Sequence, residues 1–182
     1  LSEEEYRNQI PPVPANMEPN GAYAEMKEIG SGSRSWTEEQ WDFYRWMYCR
    51  LVEDVEKQIG RILTALADAG LADNTIVVFT SDHGEMGQSH GLVFKSQLLE
   101  EATRTPLIIA GPGIQKGIVD SKNLTCGIDL VPTMCDLAGI PIPKGLSGKS
   151  LKPILTGQTV KMSRNHIIVE SSSGYQIHDG RY

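Results

Sequence analysis

The sequence predicts an α/β protein, specifically an incomplete part of a mostly parallel sheet sandwiched by helices. Two runs, residues 75–80 and 106–110, consist of apolar and β-branched residues without polar alternation. Such runs are typical of strands that are covered on both faces. A long amphipathic segment precedes the first run, and shorter helical segments follow at 96–103 and 130–137. Buried strands alternating with helices define the α/β class.

A long helix is predicted from residue 37 onward. Thr37 is placed to cap it, Gln40 completes a capping box, and Trp36 is placed for a hydrophobic staple. Apolar residues then recur at alternating steps of three and four, at Trp41, Tyr44, Tyr48, Leu51, Val55, Ile59, Ile62 and Leu66. Gly70 is a natural end for the helix. A stripe of this length requires a partner surface.

Residues 1–35 are predicted to be an extended connector. Pro11, Pro12 and Pro14 cannot continue a helix, and residues 30–33 are a flexible Gly-Ser run. Residues 36–182 are expected to form one domain, in which the run Ile167–Val169 is a further strand.

Composition excludes some function classes and leaves others open. A formal net charge of −6 disfavours nucleic-acid binding, which needs a basic face. No stretch approaches the ~18 consecutive apolar residues of a membrane span. The three cysteines, Cys49, Cys126 and Cys135, show no CxxC or zinc spacing, so the redox compartment stays open.

The candidate site follows the first predicted strand. Asp82 and His83 come directly after it, and ligands of open α/β sheets bind at the carboxyl ends of strands. A carboxylate and an imidazole together can ligate a divalent ion. Further along, Lys95 offers an ammonium group that would complement a charged oxyanion beside a metal. His90 is available to hydrogen-bond a leaving group or to brace the loop.

Spacing alone leaves plainer explanations open for each of these residues. An Asp-His pair after a strand is more often a turn with a capping carboxylate. A single lysine such as Lys95 is usually solvated, and a histidine such as His90 is more often structural than catalytic.

The stretch 55–155 resembles the later half of the sulfatase catalytic domain, in the alkaline phosphatase superfamily. The resemblance is carried by the strand and loop at 74–87, by His90-Gly91 and by Lys95. The remaining pieces follow in the same order, at 101–109, 129–133, 137–140 and 146–151. Together they cover a little over half of the chain and predict an alkaline phosphatase-like fold.

The resemblance implies roles for particular residues. Asp82 matches the aspartate of the family's SD(H/N)G motif, a ligand of the active-site cation, and His83 is the implied second ligand. Calcium is the expected ion, with manganese or magnesium as alternatives. Lys95 matches the lysine that binds the sulfate or phosphate oxygens of the ester, and Lys95 and His90 are the implied catalytic residues. The blocks 101–105 and 129–133 are expected to be structural.

One departure from the family pattern concerns the nucleophile. Sulfatases attack through a formylglycine made from the Cys or Ser of a C/S-x-P-x-R motif, and no cysteine here is followed by Pro and Arg at those positions. We therefore expect the formylglycine, and a further pair of metal-ligating aspartates, on a missing N-terminal part of the same domain. The isolated chain is expected to be inactive.

The expected function is hydrolysis of a sulfate ester by the parent enzyme, acting on a sulfated small molecule or glycan. Two alternatives remain open. The first is a phosphonate or phosphate ester hydrolase of the same superfamily, and the second is a catalytically inert fragment or binding module. The resemblance favours a periplasmic or secreted location without excluding a cytoplasmic one.

Overall fold

A computed structural model describes residues 36–95, 97–160, 162, 164–171 and 174–180. The connector predicted over 1–35 lies outside the described residues. The described chain divides into two compact units, one of residues 36–70 with 84–95, the other of residues 71–83 with the remainder from 97. No helix in the described ranges combines the length and the apolar character needed to cross a bilayer.

The first unit is built on helix α1, Glu38–Asp68. The predicted capping box is confirmed: the Gln40 backbone N–H donates to Thr37 Oγ1 at 3.3 Å, and the Thr37 N–H donates to Gln40 Oε1 at 2.8 Å. The helix ends before Gly70, whose positive φ of 67° suits a residue without a side chain. Local sequence signals therefore define both ends of α1.

The two halves of α1 differ in burial. The first turns bury Trp41, Phe43, Tyr44 and Met47, whereas the later members of the predicted stripe are half-buried or exposed. Val55 is 55% exposed and Ile62 is 68% exposed. Within the described residues, only the first two members of the apolar stripe, Trp41 and Tyr44, are therefore buried.

The second unit contains the remaining helices and strands. Its helices are α2 (Glu100–Thr103), α3 (Leu130–Leu137) and α4 (Lys152–Leu155). Its strands are β1 (Val77–Thr80), β2 (Leu107–Ala110), β3 (Ile167–Ser171) and β4 (Gly174–His178). The predicted helix at 130–137 and the predicted strand at 167–169 are confirmed.

The predicted parallel sheet is not found in the described residues. Strands β1 and β2 pair antiparallel, with Val77 opposite Ala110 and Thr80 opposite Leu107. Strands β3 and β4 form a second antiparallel pair. An apolar run shows that a strand is buried but carries no information on the direction of its neighbour, so the direction inferred from the residue pattern was wrong for these strands.

Asp129 is the polar centre of the second unit. Its side chain is fully buried, and its two oxygens accept hydrogen bonds from Arg164 at 2.6 and 2.7 Å. The backbone N–H groups of Cys126 and Lys149 donate to the same carboxylate at 3.0 and 2.8 Å. Burial opposes the charge, but the hydrogen bonds from Arg164 and the backbone outweigh it and hold the pKa of Asp129 below its usual value.

Candidate functional site

Asp82 and His83 form a tight turn directly after β1. Ser81 Oγ donates to the His83 carbonyl oxygen at 2.7 Å, and the His83 backbone N–H donates to Asp82 Oδ1 at 3.0 Å. The two side chains lie close to each other in this turn. The distance from His83 Nε2 to Asp82 Oδ2 is 3.4 Å.

This separation fits two ligands of one cation. Ligands about 2.3 Å from an ion and at right angles to each other lie ~3.3 Å apart. The side chain of Asp82 is 81% exposed and that of His83 is 38% exposed, so both are accessible from solvent. Among the described residues no group of three His, Cys, Asp or Glu side chains is placed to hold a metal ion. The pair therefore fits part of a coordination shell, to which other groups must contribute.

The loop of residues 85–95 belongs to the first unit and carries His90 and Lys95. Its backbone is closed by hydrogen bonds from Met86 N–H to the Phe94 carbonyl at 2.9 Å and from Gln88 N–H to the Leu92 carbonyl at 3.0 Å. Met86 is 1% exposed, and its buried side chain anchors the loop. The loop therefore has a defined conformation although its tip faces solvent.

Three residues with side chains adopt left-handed backbone conformations in this loop. The φ angles are 86° at Gln88, 58° at His90 and 64° at Phe94. Such conformations are costly outside glycine, and they persist where the surrounding structure enforces them, often at functional sites. His90 lies in the exposed tip, and Lys95 directly follows Phe94 and is also exposed.

Glu85 links the 85–95 loop to α1. Its Oε1 accepts hydrogen bonds from the Tyr44 hydroxyl at 2.6 Å, from the Phe94 N–H at 2.5 Å and from the Gly87 N–H at 3.3 Å. Burial raises the pKa of Tyr44, and its hydrogen bond to the Glu85 carboxylate raises the pKa further. Tyr44 therefore remains a protonated donor throughout the ordinary pH range.

The predicted site residues thus fall into two groups. The structure brings Asp82 and His83 together in the second unit, and it places His90 and Lys95 on one loop of the first unit. Sequence reasoning missed the contact between Tyr44 and Glu85. Glu85 lies beside the recognised motif, but its partner is 41 residues away in the sequence, and no local pattern marks it.

Comparison with known proteins identifies the family. The family model described as Sulfatase matches residues 11–140. A delta 4,5-hexuronate-2-O-sulfatase of Bacteroides thetaiotaomicron is 40% identical over 144 residues, which are 78% of this chain and 30% of the relative. Arylsulfatase K of Danio rerio is 33% identical over 151 residues, covering 83% of this chain and 28% of the relative.

Solved structures agree with this assignment. A 2-O GAG sulfatase superposes with a TM-score of 0.76 at 30% identity, covering 95% of this chain and 42% of that chain. The phosphonate monoester hydrolase of Silicibacter pomeroyi has a TM-score of 0.69 at 32% identity, with coverages of 86% and 34%.

The chain therefore belongs to the sulfatase family, a family of sulfuric ester hydrolases, as its motifs predict. It spans less than a third of the length of the curated relatives reported above. Its α/β fold is that of the corresponding part of the sulfatases.

Proposed function

We propose that the whole protein hydrolyses sulfate esters, with Asp82 and His83 as cation ligands and Lys95 as the residue that binds the sulfate. The observation that supports this most directly is the 3.4 Å approach of His83 Nε2 to Asp82 Oδ2 in an accessible turn after β1. The sulfatase motif occupies the same turn, so the sequence resemblance and the local geometry point to the same two residues.

Different residues of this chain are proposed to bind the cation, bind the ester and assist the leaving group. A bound divalent cation, calcium in first place and manganese or magnesium otherwise, would neutralise and orient the ester oxygens. Asp82 supplies an oxygen ligand, and the His83 N–H bond to Asp82 Oδ1 at 3.0 Å fixes the carboxylate in its orientation. The Lys95 ammonium stabilises charge that develops on the transferred group, and His90 donates a hydrogen bond to the leaving oxygen.

The names of the relatives suggest the substrate class. One curated relative is a hexuronate 2-O-sulfatase, and one superposed structure is a 2-O GAG sulfatase. We therefore propose a sulfated glycan as the substrate, with the ester at the O2 position of a uronate residue. The acidic carboxylate of such a sugar beside the sulfate makes a cationic group such as Lys95 more important, because two negative charges must be accommodated.

Release of inorganic sulfate from an unsaturated hexuronate 2-O-sulfate by the whole protein tests this proposal. Asp82→Ala and Lys95→Ala should each lower kcat/KM on the order of 10²- to 10³-fold, as is typical when an electrostatic stabiliser is removed. Lys116→Ala is the matched control, since Lys116 is an exposed lysine in a turn of the second unit. Unchanged turnover in both test variants would contradict the assignment.

A phosphonate monoester is the second candidate substrate, favoured by the 32% identity to the Silicibacter pomeroyi hydrolase. Sulfate and phosphonate esters are both tetrahedral oxyanions, and the same cation ligands and lysine serve either. Turnover of 4-nitrophenyl sulfate compared with 4-nitrophenyl phenylphosphonate separates them. A higher kcat/KM for the phosphonate would show that a phosphonate monoester, rather than a sulfate ester, is the preferred substrate.

A further inference from the structure

We infer that Glu85 and Tyr44 are positioning residues that hold the 85–95 loop and thereby fix the backbone from which Lys95 extends. This inference rests on the proposed role of Lys95 in binding the ester. Glu85 Oε1 accepts hydrogen bonds from the Tyr44 hydroxyl at 2.6 Å and from the N–H of Phe94, directly before Lys95, at 2.5 Å. One carboxylate oxygen thus connects α1 to the residue that precedes the lysine.

The conformation of Phe94 shows why this bond matters. Its φ of 64° is one that a residue with a side chain rarely adopts, and it persists only where neighbouring groups enforce it. The hydrogen bond from Phe94 N–H to Glu85 stabilises that conformation, and the backbone direction at Phe94 decides where the Lys95 side chain begins. Loss of the bond therefore releases Phe94 toward a commoner conformation and displaces Lys95.

Packing makes the connection rigid at its α1 end. Tyr44 is 3% exposed and lies in a buried cluster with Trp41 and with Val93 of the loop. Because the Tyr44 ring is fixed by this cluster, its hydroxyl presents Glu85 with a donor in a constant position. Glu85 Oε1 accepts three hydrogen bonds from protein groups, which fits a role that Glu85 exerts through the loop.

The first test needs no turnover. Hydrogen exchange of the Phe94 amide in the whole protein should accelerate about tenfold or more in Glu85→Ala and in Tyr44→Phe. In Glu85→Ala the amide loses its hydrogen-bond acceptor. In Tyr44→Phe the acceptor remains, but the hydroxyl that holds the Glu85 carboxylate in place is lost. Glu85→Gln keeps an acceptor oxygen and should stay close to wild type. Tyr175→Phe is the control, since it removes the same hydroxyl group from a residue of β4 that is 71% exposed.

The second test is a double-mutant cycle with an aryl sulfate as the substrate. Glu85→Ala should lower kcat/KM on the order of tenfold to a hundredfold, the loss expected from a displacement of about 1 Å in a catalytic group. Tyr44→Phe should lower it about tenfold through the lost hydrogen bond to a charged group. In a Lys95→Ala background, either change should add less than about a twofold loss, because the group being positioned is gone. Glu85→Gln should restore most of the activity lost in Glu85→Ala.

The outcomes separate this inference from the proposed function. If Lys95→Ala leaves kcat/KM unchanged, the role of Lys95 in the proposed function has failed, and positioning through Lys95 falls with it. If Lys95→Ala is impaired but the losses multiply in the double variants, only the positioning inference is overturned. Unchanged exchange of the Phe94 amide in both Glu85→Ala and Tyr44→Phe overturns it as well, whatever the kinetics. Thermal melts of each variant identify any that fail to fold, and Tyr44→Phe, the smallest change, keeps the test valid in that case.

Discussion

Asp129 and Asp82 both belong to the second compact unit, but their carboxylates have opposite surroundings. Asp129 is 0% exposed, and both of its oxygens are held by the Arg164 guanidinium. The side chain of Asp82 is 81% exposed and lies 3.4 Å from the His83 imidazole. The sequence places each of them in a block typical of sulfatases, so the motif match alone does not separate their roles.

The difference shows how a carboxylate is assigned to folding or to chemistry. A buried charge is tolerated only when it is paired and hydrogen-bonded, and the oxygens of Asp129 are used in this way by the protein itself. Asp82 sits where a cation can reach it from solvent. The contacts of Asp129 support the expectation that the 129–133 block is structural, and the geometry of Asp82 supports its proposed role as a ligand.

The largest expected effect is on stability. Asp129→Ala and Arg164→Ala should each lower the free energy of unfolding by about 3–5 kcal/mol, because each leaves a buried charge without its partner. Asp82→Ala should change it by less than about 0.5 kcal/mol, as is usual at exposed positions. Chemical denaturation followed by circular dichroism measures both. Equal losses of unfolding free energy in Asp129→Ala and Asp82→Ala would contradict the distinction between a structural and a ligand carboxylate.

Acid pH should weaken the same buried pair. The pKa of Asp129 is lowered in the folded state, so its contribution to stability is complete above the unfolded pKa of about 3.9 and is lost as pH falls through the folded pKa. The loss should be smaller than in Asp129→Ala, since the protonated carboxyl still fills its site and accepts hydrogen bonds. Melting temperatures between pH 6 and pH 2.5 should fall more steeply for wild type than for Asp129→Asn. Parallel curves would show that Asp129 does not contribute this dependence.

The features that the sequence could predict are those with local causes. The capping box joins Thr37 and Gln40, which are three positions apart, and the turn after β1 places Asp82 beside His83 through bonds among neighbouring residues. The features that were missed depend on distant partners. Arg164 reaches Asp129 across 35 residues, and the direction of β2 is set by pairing with a strand nearly thirty residues earlier. The residues around Asp129 do not indicate that Arg164 is its partner, and the residues of β2 do not indicate the direction in which β2 pairs with β1.

The next effect in size is on cation affinity, and it tests the role of the exposed residue of the comparison, Asp82. Asp82→Ala should raise the Kd of the whole protein for calcium about tenfold to a hundredfold, because one charged oxygen ligand is removed. Titration calorimetry measures the Kd, and manganese and magnesium are compared in the same way. Asp73→Ala, which removes an exposed carboxylate from the 3-10 helix Ala72–Asn74 of the same unit, should leave the Kd unchanged. An unchanged Kd in Asp82→Ala would remove Asp82 from the ligand set.

The smallest expected effect comes from an ion pair that is intermediate between these two aspartates. Lys152 Nζ donates to the Asp136 carbonyl at 2.7 Å and to Asp136 Oδ1 at 3.2 Å, and both side chains are about one-third exposed, at 39% and 34%. The hydrogen bond from Ser150 is the larger cause of the lowered pKa of Asp136, and it survives removal of the lysine.

Lys152→Ala should therefore cost at most about 1 kcal/mol of unfolding free energy, and high salt should shrink the difference from wild type. Lys152→Met is the control, since it keeps the apolar stem and removes only the charge. Its comparison with Lys152→Ala separates lost packing from lost ion pairing. If Lys152→Ala instead lowered the free energy of unfolding as much as Arg164→Ala, burial would not explain the strength of the Asp129–Arg164 ion pair. The contrast between Asp129 and Asp82 would then have to be explained by the bidentate geometry of Arg164 alone.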